Sequence, residues 1–158
     1  MTQQIRTGRQ APDLALTDHE GQQVRLSELR DHKVIVYFYP KAFTPGCTSE
    51  ACDFRDSLAS LQHLGYTVLG VSGDDPETLS RFAEEYHLPY RLLSDPDKHV
   101  MEAYDAWGEK TLYGKKTTGV IRSTVWIGPD GRVRRHWARV SDAEKHPDQV
   151  LAALKGGG

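Results

Sequence analysis

The chain has 158 residues, a mass of 17.8 kDa and 20 Lys and Arg against 22 Asp and Glu. Its 38% apolar residues and 14 glycines match the composition of ordinary globular proteins, which excludes a disordered or collagen-like chain. The net charge of -2 and the lack of a long apolar run argue against nucleic-acid and membrane partners. We therefore expect one domain over residues 1–158 with a frayed glycine tail at 156–158.

The N-terminus carries no apolar segment of the kind found in secretory signals, so we expect a cytoplasmic protein. In a reducing compartment, a close pair of cysteines is more often catalytic, redox-sensing or metal-binding than structural. Cys47 and Cys52 are the two cysteines of the chain. They are the first candidates for function.

The first half of the chain predicts a hairpin, a buried strand and a long helix. Two short apolar stretches, 14–17 and 24–26, flank a turn-rich segment and indicate an N-terminal β-hairpin. Residues 33–39 are β-branched and aromatic without alternation, which predicts a central strand buried on both faces. Apolar residues then recur with helical spacing from about 47 to 64, and Thr44 followed by proline predicts the N-terminus of this helix.

The second half alternates strands with helices. Asp75 and Asp95 are each followed by proline, which predicts a helix N-terminus at both positions. The segment 108–115 departs from the spacing of a phosphate-binding loop and is interpreted as a basic surface loop. Further strands are expected at 67–72, 90–93, 119–127 and 132–140, and a last helix at 143–154. This order predicts an α/β fold with a mixed central sheet and helices on both faces.

Cys47 follows the most buried predicted strand and lies at the start of the long helix. Free backbone amides and the positive end of the helix dipole stabilise a thiolate at such a position, so Cys47 is a candidate nucleophile. The Thr44 hydroxyl is expected to cap this helix and is also placed to bind a molecule beside the sulfur. A cap without any further role remains the alternative for Thr44.

Cys52 lies five residues further along the same helix. Five residues of helix place two Cα atoms roughly 8.6 Å apart, whereas a disulfide requires less than about 7 Å. A bond between Cys47 and Cys52 would therefore require the first helical turns to unwind. The alternative is that the two cysteines are unrelated and Cys52 is a small buried hydrophobe.

A metal site is a weaker interpretation of the same cysteines. Their spacing fits the first half of a zinc knuckle, but no pair of histidines has the spacing of the second half. A C-x-x-C redox motif is absent as well. We therefore expect no metal site and interpret the histidines as surface side chains, namely His19, His32, His63, His87, His99, His136 and His146.

Arg122 lies within the predicted strand 119–127, on the same face as Val120, Thr124 and Trp126. A charged side chain within a buried strand requires an anionic partner. An edge-strand arginine in a surface ion pair is the alternative. Spacing alone does not choose between them.

The segment from Pro40 through Thr44 and Cys47 to Cys52 resembles the active-site signature of the peroxiredoxins, specifically the bacterioferritin-comigratory-protein or peroxiredoxin Q subfamily. The resemblance implies a thioredoxin-like fold and reduction of hydrogen peroxide and organic hydroperoxides without any cofactor. It also implies an intramolecular disulfide, a thioredoxin or glutaredoxin-like reductant and a monomer. Further matching segments are 11–14, 36–41, 70–72, 92–95 and 122–124.

By matching position, the resemblance implies that Cys47 attacks the peroxide and that Cys52 resolves the resulting sulfenic acid. Thr44 and Arg122 would hydrogen-bond the peroxide and the thiolate, and Pro40 would shield the sulfur from water. Glu50 would orient the arginine, with a favourable first-turn carboxylate as its alternative role. Two other functions remain open, a thioredoxin-like binding or chaperone module and a peroxide sensor that passes its disulfide to a partner.

Overall fold

The computed structural model describes residues 5–112 and 114–157. In chain order, these residues form β1 (Ala15–Asp18), β2 (Gln23–Arg25), a 3-10 turn (Leu26–Leu29), β3 (Lys33–Phe38), α1 (Pro45–His63), β4 (Tyr66–Ser72), α2 (Pro76–Glu85), β5 (Arg91–Ser94), α3 (His99–Ala103), β6 (Trp107–Leu112), β7 (Lys115–Val120), β8 (Ser123–Ile127), β9 (Val133–Trp137) and α4 (His146–Gly157). None of the helices in these ranges is both long and apolar enough to cross a membrane.

Seven strands form one mixed sheet in the order β2-β1-β5-β4-β3-β8-β9. The central strands β3, β4 and β5 are parallel, while β1 and β8 join them in antiparallel pairing. β1 and β2 form the expected N-terminal hairpin, with Leu16 opposite Val24. The predicted α/β class with a mixed sheet is confirmed.

Helices cover both faces of the sheet because β3 is apolar on both sides. Ile35 and Tyr37 belong to one buried cluster, which includes side chains of α1, α2 and α4. Val34, Val36 and Phe38 belong to a second cluster, which includes α3 and the N-terminal hairpin. The carboxyl end of β3 leads directly into the loop that precedes α1.

The strand predicted at 119–127 is wrong, because Ile121 and Arg122 interrupt it. β7 ends at Val120 and pairs with β6, whereas β8 begins at Ser123 and pairs with β3. The basic surface loop predicted at 108–115 is wrong for a related reason, since β6 and β7 form a hairpin of their own. Arg122 therefore lies in a two-residue connection between two sheets.

The helix N-termini agree with the sequence at one of two Asp-Pro sites. Asp75 caps α2, with its carboxylate accepting a hydrogen bond of 2.7 Å from the Thr78 amide. Asp95 does not begin α3. The helix starts after Lys98, whose backbone has a left-handed conformation. The Asp95 carboxylate instead accepts a hydrogen bond of 2.9 Å from the Met101 amide. At the C-terminus, α4 runs to Gly157, and the last residue of the expected frayed tail lies outside the described residues.

His146 begins α4 and is 1% exposed, so the surface interpretation is wrong for this histidine. Its Nε2 forms a buried hydrogen bond of 2.7 Å with Thr124 Oγ1 of β8. Burial lowers the pKa of His146 from 6.5 to about 4. The neutral ring therefore joins α4 to the sheet at neutral pH.

The stability of the fold is expected to depend on pH through His146. Between pH 6.5 and about 4 the unfolded chain protonates this histidine and the folded chain does not, so its contribution to stability is lost as the pH falls through that range. The difference in free energy of unfolding between wild type and His146→Gln should grow as the pH rises from about 4 to 6.5. Urea denaturation at several pH values measures it.

His63→Gln, at an exposed position near the end of α1, controls for loss of a histidine elsewhere. A pH-independent difference between wild type and His146→Gln would contradict the assignment of this titration to the buried ring.

Candidate active site

α1 carries a buried stripe that contains both apolar and reactive side chains. Its buried residues are Cys47, Glu50, Ala51, Phe54, Leu58 and Leu61, which follow the three-to-four residue period of a helix face. The stripe predicted from the apolar residues is confirmed and extends to Cys47, which is 1% exposed. Both cysteines are free thiols.

Thr44 precedes α1 but does not cap it with its side chain, so the predicted side-chain cap is wrong. Its hydroxyl donates to the Lys41 carbonyl oxygen at 2.7 Å. The first turn is instead closed by the Thr48 amide, which donates to the Thr44 carbonyl oxygen at 2.8 Å. The Thr44 hydroxyl oxygen is therefore left with its acceptor capacity.

Arg122 is brought to α1 by the connection between β7 and β8. Its Nη2 donates to Cys47 Sγ at 3.2 Å, and its Nη1 donates to Glu50 Oε1 at 2.7 Å. Arg122 also approaches Gly46, where an added Cβ would lie 3.5 Å from Nη2. The surface ion pair proposed as an alternative for Arg122 is thus wrong, because its partners lie in the buried first turns of α1.

Glu50 is fully buried, and its Oε2 has no hydrogen-bond partner among the residues that the structure describes. Burial raises the pKa of Glu50 to about 7, although the nearby Arg122 guanidinium opposes this shift. For Arg122, burial alone lowers the pKa, but Glu50 and Cys47 more than offset it, and its pKa is raised. The simple first-turn carboxylate considered for Glu50 does not describe a side chain in this position.

The loop between β3 and α1 is fixed by Asp74, which is not among the site residues predicted from the sequence. Asp74 Oδ2 accepts hydrogen bonds of 2.8 Å from the Ala42 amide and the Ser72 hydroxyl. Phe43 in this loop has a left-handed φ of 67° and packs against Phe82 at 5.1 Å between ring centroids. The position of Asp74 just after a buried parallel strand was the available signal.

Cys52 lies away from the buried stripe and is half-buried. Burial raises the pKa of its thiol, with Arg55 acting in the opposite direction. The Ala51 carbonyl oxygen, one residue earlier, accepts a hydrogen bond of 2.8 Å from the Tyr90 hydroxyl. This turn of α1 is therefore tied to the residue that precedes β5, while Cys47 lies in the turn before it.

A cleft of about 270 Å³ opens beside this arrangement, with Pro40 and Arg122 in its wall. A larger cavity of about 370 Å³ lies between the second half of α1 and the starts of β4 and β5, and no predicted site residue lines it. Within the described ranges, no group of three or more His, Cys, Asp and Glu side chains is arranged to hold a metal ion. The structure thus brings together Cys47, Glu50 and Arg122, with Pro40 in the adjoining cleft.

The sequence profile of the AhpC/TSA family matches residues 7–136. The chain belongs to this family. Peroxiredoxin Bcp of Escherichia coli is 44% identical over 151 residues, 96% of each chain. Peroxiredoxin Bcp of Bacillus subtilis is 42% identical with the same coverage.

Two solved structures of peroxiredoxins superpose on this one. A cysteine-to-serine variant of Xylella fastidiosa peroxiredoxin Q gives a TM-score of 0.89 at 30% identity and covers 97% of both chains. The bacterioferritin comigratory protein of Xanthomonas campestris, studied for its alkyl peroxide reduction activity, gives 0.84 at 38% identity and 91% of both chains. The thioredoxin-like fold and the peroxiredoxin resemblance are confirmed, and the chain is a peroxidase of this family.

Loss of Arg122 should destabilise the protein by leaving Glu50 buried without its cation. The pKa of Glu50 in the folded protein already lies above its unfolded value. Protonation of Glu50 therefore stabilises the folded state at low pH, and this contribution to the free energy of unfolding is lost as the pH rises. We expect Arg122→Leu to lower the free energy of unfolding by about 3–5 kcal/mol near pH 8, and by less near pH 5. Chemical denaturation at both pH values measures the two losses.

The double variant Arg122→Leu with Glu50→Gln removes both charges and should recover most of the stability lost near pH 8. Equal losses at the two pH values in Arg122→Leu would show that the buried carboxylate does not cause the destabilisation.

Proposed function

We propose that the protein reduces hydrogen peroxide and organic hydroperoxides by nucleophilic attack of the Cys47 thiolate. The observation that supports this most directly is the 3.2 Å contact between Arg122 Nη2 and Cys47 Sγ, with Nη1 held on Glu50 at 2.7 Å. A guanidinium in contact with the sulfur places a cationic hydrogen-bond donor at the atom that attacks the peroxide. The nucleophile and this donor are therefore in contact before peroxide binds.

In the oxidation step, a lone pair of Cys47 Sγ attacks the terminal oxygen of the peroxide and the O–O bond breaks. The sulfur becomes a sulfenic acid, and the leaving alkoxide or hydroxide takes a proton from solvent to form an alcohol or water. Negative charge moves from sulfur to the departing oxygen. The remaining N–H groups of Arg122 can donate hydrogen bonds to the departing oxygen as it becomes negative, since the guanidinium carries five donors in one plane.

Thr44 and Pro40 complete the proposed peroxide site. The Thr44 hydroxyl donates a hydrogen bond to the Lys41 carbonyl oxygen, so its oxygen can accept a hydrogen bond from the O–H group of the hydroperoxide and orient the terminal oxygen. Pro40 lies in the wall of the adjoining cleft and presents no backbone N–H, so it can limit access of water to the sulfur. The fixed loop between β3 and α1 holds both residues in place.

In the resolution step, the Cys52 thiol condenses with the Cys47 sulfenic acid to give a disulfide and one water molecule. Helical geometry keeps the two Cα atoms roughly 8.6 Å apart, so α1 must unwind first. The Tyr90 hydroxyl anchors the Ala51 carbonyl, so unwinding should start at the turn that contains Cys47. A dithiol reductant, either a thioredoxin or a glutaredoxin-like protein, then reduces the disulfide. In this proposal the protein acts as a monomer in the cytoplasm.

One equivalent of hydrogen peroxide should convert the reduced protein into a species lighter by two hydrogens. Intact mass measured after rapid thiol blocking reports the conversion, and peptide mapping should show Cys47 joined to Cys52. Cys52→Ser should instead gain one oxygen in a single turnover and then stall. Cys47→Ser should remain unchanged. A wild-type mass that also remains unchanged would favour a binding module over a peroxidase.

The disulfide form should show a locally unwound α1. Amides at 46–50 are expected to exchange hydrogen faster in the disulfide form than in the reduced form, while those at 54–61 remain protected by the core. Hydrogen exchange followed by mass spectrometry compares the two forms. The reduced Cys52→Ser variant, which cannot form this disulfide, is the control. Equal protection at 46–50 would argue against an intramolecular disulfide between these cysteines.

A further inference from the structure

The cleft beside Arg122 has two additional cations in its lining, Lys110 of β6 and Arg139 after β9. No acidic side chain lines it among the residues that the structure describes. Hydrogen peroxide is small and uncharged at neutral pH, and the reaction at Cys47 already has Arg122. The two further cations therefore require a different explanation.

Both cations are held by backbone carbonyl groups. Lys110 Nζ donates to the Val120 carbonyl oxygen at 2.8 Å, and Arg139 Nη2 donates to the Glu109 carbonyl oxygen at 3.3 Å. Neither forms an ion pair within residues 5–112 and 114–157. The Glu109 carboxylate pairs with Lys116 at 3.6 Å instead. Lys110 and Arg139 thus keep unneutralised charge and spare donors beside the cleft.

The β6-β7 hairpin is shaped to place the Lys110 side chain. A Cβ at position 119 would lie 3.3 Å from Lys110 Cε and 3.6 Å from its Nζ. Gly119 therefore gives Lys110 room to lie across β7 and reach Val120. The position of Arg139 is set by the backbone of the next residue, since the Val140 amide donates a hydrogen bond of 2.8 Å to the Arg122 carbonyl oxygen.

The rest of the lining of this cleft is apolar. It is formed by Val120 and Ile121, both 8% exposed, together with Pro40 and Val140. Apolar side chains suit a hydrocarbon chain, whereas two cations without carboxylate partners among the described residues suit an anionic group. The cleft thus offers a surface for a molecule that has both an apolar part and an anionic group.

On the basis of the proposed function, we propose that Lys110 and Arg139 select organic hydroperoxides that carry a carboxylate. The hydroperoxide group reaches Cys47, the hydrocarbon part lies along Val120 and Ile121, and the carboxylate binds the two cations. The reaction is the same as for other hydroperoxides, with sulfur oxidised to sulfenic acid and the substrate reduced to a hydroxy carboxylate after protonation of the leaving oxygen. Lys110 and Arg139 are specificity-determining residues, because they bind the carboxylate of the substrate at a distance from the reacting atoms.

The test compares ω-hydroperoxy carboxylic acids of increasing chain length with their methyl esters. Second-order rate constants for oxidation of the prereduced protein are measured by stopped flow without any reductant, so an effect on reductant docking does not contribute. We expect the wild type to react about five- to tenfold faster with the best acid than with its ester, as two partly exposed ion pairs would give. This ratio should fall as the salt concentration rises.

The double variant Lys110→Gln with Arg139→Gln should bring the acid-to-ester ratio to about one, whereas Lys116→Gln on the same hairpin should leave it unchanged. Gly119→Ala, which displaces Lys110, should reduce the ratio in part. A wild-type ratio near one, a ratio that survives in the double variant, or an equal loss in Lys116→Gln would each overturn the proposal. Hydrogen peroxide is the reference, since its failure to oxidise wild-type Cys47 would refute the proposed function instead.

Discussion

The site depends on one guanidinium held between a sulfur and a carboxylate. Cys47 and Glu50 lie three residues apart on the buried face of α1, so a planar fork arriving from outside the helix can contact both. Arg122 makes these contacts at 3.2 and 2.7 Å. It can do so because the chain leaves the β6-β7 hairpin and enters the main sheet at this point, which directs its side chain toward α1.

This arrangement is held against an energetic penalty. Glu50 is fully buried and has a pKa raised to about 7. One of its oxygens has no hydrogen-bond partner within residues 5–112 and 114–157. A hydrophobic residue in that position would avoid the desolvation of a carboxylate, but it would leave Arg122 free to turn toward water. The stability of the first turns of α1 is therefore linked to the orientation of Arg122. Those are the turns that must unwind if Cys47 is to reach Cys52.

Most of the fold follows from local pattern. The buried β3, the amphipathic α1 and the N-terminal hairpin agree with the sequence prediction because each has a clear hydrophobic period. The errors occur where a tertiary partner decides the outcome. Residues 119–127 have the composition of one strand, yet their two ends pair with different partners, β6 and β3. No periodicity within a single segment shows such a change of sheet.

The sequence by itself determined the position of Cys47 after a buried strand at a helix N-terminus, and the helical spacing that separates it from Cys52. Both depend on residues close together in the chain. Only the tertiary structure decided that Arg122 joins Cys47 to Glu50 and that Lys110 lies beside the same cleft. Those contacts join residues 72 and 75 positions apart, and their geometry is set by the packing of a sheet, a hairpin and a helix.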